Sequence, residues 1–290
     1  MSAPKFGAPV LSLHALLKER VNEYFENNKI QSTGNFGLYF KAAILVCSYL
    51  FLYVHLIFFT PHIALAVGEC VLLSIITAGI GFNVMHDGAH GSFSRSAKFN
   101  KVAAFTLDAM GASSFMWNTK HNVVHHAYTN IDGVDDDIDA GILLRINKAQ
   151  KHYKLHKYQH IYFWGLYALL YSAWIFYTDY KKYFTNKVGE MPLKKLKSVD
   201  HIFFWSFKAL HLVLFIVFPI CFVGFMPWLV GFLIYSSVTG IILSLVFQLA
   251  HVVEETSFPQ AMQPGNKMED EWALHQLKTT ANFAMRNKFI

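Results

Sequence analysis

The stretch IALAVGECVLLSIITAGIGFNVMHDGAH, residues 63–90, decides how the rest of the chain is read. From Ile63 to Met85 it is apolar, with Glu69 its one acidic residue. A helix rises 1.5 Å per residue, so about 20 such residues cross the hydrocarbon core of a bilayer. The run is long enough, and it passes directly into His86 and His90. On a continuing helix an i, i+4 pair presents both imidazoles on one face. A membrane span therefore delivers two metal-binding side chains to one surface.

Three further runs have spanning length: Leu38–Phe59, Leu210–Phe225 (with a start near Phe203 as an option) and Trp228–Leu249. Thr60-Pro61-His62 joins the first pair and Met226-Pro227 the second. Neither link can hold a folded domain, so both hairpins turn on the same side. The expected fold is all-α and integral to the membrane, with four transmembrane helices in two hairpins and a cytosolic helical cap carrying the histidines. Composition agrees: 15% of residues are charged, against about 25% in soluble domains. The short links carry no Lys or Arg, whereas the stretch from Met85 to Leu210 holds Arg95, Lys98, Lys101, Lys120, Arg145, Lys148 and more. The positive-inside tendency places that stretch and both termini in the cytosol.

The net charge of +6 is spread between apolar runs rather than gathered on a basic module. That argues against a nucleic-acid partner and for a surface of anionic lipid. Cys47, Cys70 and Cys221 all lie inside apolar runs, so no disulfide framework is indicated. The first 35 residues lack the layout of a signal peptide. Leu11–Phe25 has the spacing of an amphipathic interfacial helix, and TGNFG at 33–37 breaks it. The chain thus divides into an N-terminal cytosolic or interfacial segment, 1–37, and a membrane domain, 38–290. Val102–Trp117, interrupted by Asp108, reads as interfacial or re-entrant. Ile161–Tyr177, aromatic and flanked by lysines, reads as a helix lying at headgroup level.

The second histidine cluster is His121, His125 and His126 in HNVVHH, and His251 arrives as the last run ends. Three elements so bring six imidazoles to one face. Six exceed what a single tetrahedral zinc takes, and the count implies two metals. Iron is favoured, because attack on an unactivated C–H bond with O₂ requires redox capacity that zinc lacks.

HDGAHGSFS (86–94), WNTKHNVVHHAYTNIDGVDDDID (117–139), QLAHVVEE (248–255) and WALHQLKTTANF (272–283) closely resemble membrane fatty-acid desaturases. The nearest branch looks like bacterial acyl-CoA or linoleoyl-CoA-type enzymes, relatives of the front-end desaturases. The resemblance implies a di-iron centre that uses O₂ and two electrons to place a double bond in a fatty acyl-CoA or acyl-lipid. By position, His86 and His90 form the first box, His121, His125 and His126 the second, and His251 an additional ligand. The family's third box, HxxHH or QxxHH, is expected just after the last of these stretches. None stands before Ile290, so the resemblance implies a C-terminally truncated, inactive sequence, or a diverged enzyme. No HPGG haem motif is present. Electrons would come from a separate ferredoxin, or cytochrome b5 with its reductase, at a bacterial inner membrane.

Other residues carry two readings each. Trp117 and Asn118 could line an acyl tunnel or simply pack. Asp87 and Asp136 could orient metal-bound imidazoles through their second ring nitrogen, or belong to solvated turns. His152, His156 and His160 repeat the i, i+4 spacing, but interleaved Lys and Tyr suit an interfacial helix better. Glu69 could snorkel or stay protonated, His55 and His211 pack, and His275 reads as a helix-face residue. Three rival functions fit the same histidines: a di-iron lipid hydroxylase, a membrane zinc hydrolase and an inactive remnant.

Overall fold

A computed structural model of the protein describes residues 3–7, 12–59, 62–262 and 265–282. Four helices are long and apolar enough to cross a membrane: Phe36–Phe59, Ile63–Ala89, Ser198–Val223 and Phe225–His251. With almost no charged side chains to solvate, each leaves its large residues outside, Phe40, Phe51, Leu72 and Val246 among them. Smaller and shaped residues meet inside, where Ala42, Ala78, Ile80, Tyr235 and Leu243 share one core. Small residues let helix backbones approach where lipid offers no hydrophobic drive to associate.

The third span begins at Ser198, well before Leu210, because its two charges are accommodated locally. Asp200 sits in the first turn and accepts from the Lys197 N–H at 2.8 Å. Lys208 is buried against Asp179 at 2.9 Å. Gly224, φ 87°, rather than Met226-Pro227, separates the third apolar helix from the fourth. Glycine takes that backbone freely, and Pro227 falls in the first turn of the next helix, where its missing N–H is not needed. In the first link, Thr60 and Pro61 lie outside the described residues.

The fold is mostly but not wholly helical. Lys5–Gly7 pairs in parallel with Lys267–Glu271, and Lys187–Val188 pairs antiparallel with Met191–Pro192. Such short strands show no alternation that a sequence could reveal. The N-terminal segment is docked on the C-terminal region rather than set apart from it. The Leu13 N–H donates to Glu271 at 2.9 Å, and the His14 ring meets Trp272 edge-on at 5.2 Å. The helix Leu13–Asn27 leaves Leu16, Leu17 and Val21 exposed, as an interfacial helix does.

Between the second and third spans, Val102–Trp117 is broken into short helices around Gly111, φ 99°. A Cβ on Gly111 would lie 2.6 Å from the His211 ring, so this loop reaches well along the third span. The aromatic helix Gln159–Ala173 departs from the headgroup-level expectation, because it runs antiparallel along the fourth span. Tyr167 lies over Gly240, Tyr171 meets Tyr235 at 5.4 Å and Phe176 meets Phe232 at 6.1 Å. Its tyrosines find partners inside the bundle; the Tyr171 hydroxyl donates to the Met110 carbonyl at 2.8 Å.

A Cβ on Gly240 would fall 2.4 Å from the Tyr167 carbonyl oxygen, which is backbone and cannot swing away. Gly240→Ala is expected to cost about 1–3 kcal/mol by overpacking, seen as a lower melting temperature in detergent. Gly68→Ala, with nothing within 4 Å, should leave the melt unchanged.

Candidate metal centre

The second span reaches its histidines through a π-helical turn, Gly81–Met85, followed by His86–Ala89. Gly88 rests on the next helix, Ala97–Ala104; a Cβ there would lie 2.7 Å from the Asn100 carbonyl and the Ala104 nitrogen. The Asn100 side chain then fixes the turn after His90, donating to the Gly91 and Ser94 carbonyls and accepting from the Ser94 N–H. Gly88→Ala should therefore displace the first box. The expected result is a loss of about 1–3 kcal/mol together with lower metal content, measured on the same purified protein.

The second box begins on Ser114–Asn118, capped by Ser113, and continues as a π-helix over Thr119–His125. In a π-turn the hydrogen bond runs from i to i+5, and the His126 N–H indeed donates to the His121 carbonyl. His126 is thereby set one turn beyond His121.

His121 is the centre of the cluster. Its Nε2 lies 3.2 Å from His86 Nε2 and 3.1 Å from His126 Nε2. The His90 ring closes the group at 4.4 Å from His86 and 4.9 Å from His126. On the other side His121 stacks on His125 at 5.3 Å, and His251 meets His125 edge-on at 4.6 Å. Two overlapping sets have ligand atoms within 4.8 Å of one another: His86, His90 and His121, and His121, His125 and Asp137.

The residues fit a pair of metal ions. One proton on His121 Nε2 can serve only one of its two imidazole neighbours, and His121 Nδ1 is buried with no hydrogen-bond partner among the described residues. A set of imidazoles with a carboxylate at its edge suits iron, and also zinc, copper or nickel.

Electrostatics keeps most of these rings neutral. Burial, helped by the neighbouring imidazoles and opposed by Asp137, pulls His121 down to about 2. Burial and His125 pull His126 to about 4, and burial followed by His86 lowers His90. His125 moves the other way: burial lowers it, but the hydrogen bond to Asp135 and the charge of Asp137 prevail. Burial would raise Asp137, yet Lys120 and His125 hold it well below the usual carboxylate range.

A pH dependence follows for the metal-free protein. An unfolded histidine takes up its proton near pH 6.5, whereas His126 does so near 4 and His121 lower still. Between those values the unfolded chain binds more protons, so stability falls as pH drops below 6.5. His125 opposes this in part. Melting at about pH 7.5 and about pH 5 should show the lower transition in acid; equal transitions would contradict the burial described.

Trp117, buried, stacks on His121 at 4.4 Å. Asn118 is exposed and accepts from Asn122 at 2.6 Å, while Asn122 also reaches the Ala89 carbonyl, so the pair joins the two boxes at the surface. A small apolar cavity of about 30 Å³ lies beside His86; Phe82, Met85, Leu107, Leu243 and Phe247 form much of its wall. Asp87 lies 3.8 Å from His86 Nδ1. Asp136 sits between Lys120 and Lys182, at 3.7 and 3.8 Å. The carboxylates against an imidazole are its neighbours, Asp135 at 3.0 Å and Asp137 at 3.3 Å from His125 Nδ1.

Other placements were not foreseen. Asn130, buried with φ 59°, donates to the His251 carbonyl at 2.8 Å while its N–H donates to Asp135 at 2.9 Å. A non-glycine residue at positive φ is uncommon and asparagine tolerates it best. Trp272 and Gln276 both donate to the His126 carbonyl. His275 is buried rather than on an open helix face, its Nε2 2.9 Å from the Thr129 carbonyl. His156 is engaged with the Ile142 carbonyl, and His55 pairs with Glu69 at 3.0 Å.

The fatty acid desaturase family model matches residues 60–290. The chain belongs to the fatty acid desaturase family. It is 34% identical over 287 residues to the sn-1 linoleoyl-lipid 6-desaturase of Synechocystis sp., covering 94% of this chain and 77% of the relative. The sn-1 linoleoyl-lipid 6-desaturase of Arthrospira platensis is 32% identical over 277 residues, 94% of this chain and 74% of that protein. An acyl-lipid (8-3)-desaturase of Physcomitrium patens is 31% identical over 281 residues, 95% of this chain and 58% of its own. This desaturase is thus an oxidoreductase acting on fatty-acyl chains, with four apolar helices that suit a membrane protein.

Proposed function

We propose that His86, His90, His121, His125, His126 and His251 supply ligands to two irons, a set that the family's third histidine box would complete, and that the desaturase acts on an acyl chain carried on a membrane lipid. The observation that supports this most is the meeting of six imidazoles from three elements, with an apolar wall beside His86. When bound, the irons supply the activation of O₂ and the removal of two hydrogens from the acyl chain.

The chain's own residues prepare that chemistry. Burial keeps His90, His121 and His126 neutral and so ready to ligate. Asp135 takes the Nδ1–H of His125, fixing the tautomer that leaves Nε2 free. Trp117 covers His121 and excludes water from its face. The apolar wall of Leu243, Phe247 and Met85 beside His86 would receive the acyl chain. A misplacement of about 1 Å at such a site can cost a hundredfold in rate, so the wall sets the position of the new bond.

The names of the two cyanobacterial relatives support a lipid-linked linoleoyl substrate and a bond at position 6. Residues 38–290 would form the catalytic unit, with the segment before it packed on its cytosolic side. Lys and Arg in the region between the hairpins support cytosolic termini, in a bacterial inner membrane. Electrons would come from a separate ferredoxin, or cytochrome b5 with its reductase. The test is expression in a host fed linoleate, with lipids and acyl-CoA analysed separately by mass spectrometry. The expected product is a lipid acyl chain short of two hydrogens, with the new bond on the carboxyl side of the existing ones. An added oxygen would indicate a hydroxylase, and product confined to acyl-CoA would contradict the lipid substrate.

A further inference from the structure

We infer that Lys208 and Asp179 form a positioning clamp that sets the second histidine box relative to the apolar wall beside His86. The inference rests on the metal-site reading above and concerns residues outside that site. Side-chain exposure is 6% for Lys208 and 0% for Asp179. All three ammonium protons of Lys208 have acceptors: Asp179 at 2.9 Å, the Gly111 carbonyl at 2.7 Å and the Ile175 carbonyl at 3.1 Å. Asp179 also accepts from the Ser113 N–H at 2.7 Å and from the Trp174 indole at 3.1 Å.

Each of these partners leads toward the reaction. Ser113 caps the helix that carries Trp117 and runs on into His121 and His125. Trp174 forms part of the apolar wall beside His86. Gly111 makes the turn two residues before Ser113 and is pressed against His211. One carboxylate therefore links the start of the second box to that wall, and one ammonium ties both to the third span. A buried ion pair is a poor source of net stability, since desolvation offsets the attraction, and an apolar pair of similar volume is often as stable. Its consequence here is geometric: without the charges, the Gly111 carbonyl and the Ser113 N–H lose the partners that tie the 111–113 turn to the third span.

The experiment compares the wild type with Lys208→Met/Asp179→Leu, and with Asp179→Glu, which keeps the pair but lengthens the carboxylate arm by one methylene. All are purified in detergent. Melting reports the fold, hydrogen exchange of residues 111–126 in metal-free protein reports the clamp, and the visible spectrum of Co²⁺-loaded protein reports ligand geometry. The expected result is a lower melt for the double variant, which strips the Gly111 and Ile175 carbonyls, the Ser113 N–H and the Trp174 indole of their partners. Asp179→Glu should melt close to wild type. In both, exchange in 111–126 is faster by roughly tenfold, and the Co²⁺ spectrum is altered with kcat lowered more than KM. Unchanged exchange and spectrum in a folded variant would overturn the clamp. If the double variant does not fold, Asp179→Glu decides by the same readouts. A wild type that takes up no metal, with faster exchange in the variants, would leave the clamp standing and remove the metal-site reading.

Discussion

Replacing His125 with alanine is expected to abolish product and to remove bound iron, with activity down by more than the roughly hundredfold that loss of an outer partner can cost. His125 is buried between His121 and His251 and is held by two carboxylates. Removing its ring deletes a ligand and also leaves Asp135, with 0% side-chain exposure, facing a void. An uncompensated buried charge costs about 3–5 kcal/mol, so melting should fall alongside metal content. Iron per chain and lipid product are measured on one preparation; retained iron and product would remove His125 from the site.

Asp135→Asn should be the next most damaging change. The two Asp135 oxygens accept from His125 Nδ1, the Asn130 N–H and the Asp137 N–H. Asparagine offers one acceptor oxygen and turns an NH₂ toward a donor. Leaving a buried donor unmatched costs about 1–3 kcal/mol, and metal affinity should fall about 10–100-fold as His125 loses its tautomer control. Asp136→Asn is the contrast. Its carboxylate faces Lys120 and Lys182 rather than an imidazole, so metal affinity should change by less than about threefold. Metal titration of the two variants side by side separates them, and equal losses would contradict the geometry.

Much of the fold was legible because spanning helices advertise themselves by length and apolarity, and the four helices fall where those runs do. The ends were less legible for reasons particular to single residues. Lys208 interrupts the apolar run of the third span in sequence, but in space it is neutralised by Asp179, some thirty residues earlier in the chain. Pro227 reads as a turn residue, yet the turn is made three residues earlier by Gly224.

The histidines that meet were legible by type and spacing, but their mutual arrangement was not. An α-helical reading of HNVVHH pairs His121 with His125; the π-turn sets His126 edge-on to His121 as well. Nothing in residue type announces a π-turn, which depends on how the segment is held at both ends. The acidic run 132–139 offered several carboxylates, and only the backbone turn from Asn130 to Asp137 decides which of them reach His125. The aromatic helix was misplaced because its flanking lysines signal an interface, while its tyrosines pair with groups that belong to distant elements.

The most direct test is iron X-ray absorption on the purified desaturase, combined with metal counting. Two irons per chain, surrounded by nitrogen and oxygen with the multiple-scattering pattern of several imidazoles, is the predicted result. Iron absent, zinc in its place, or a spectrum without imidazole scattering would contradict the account.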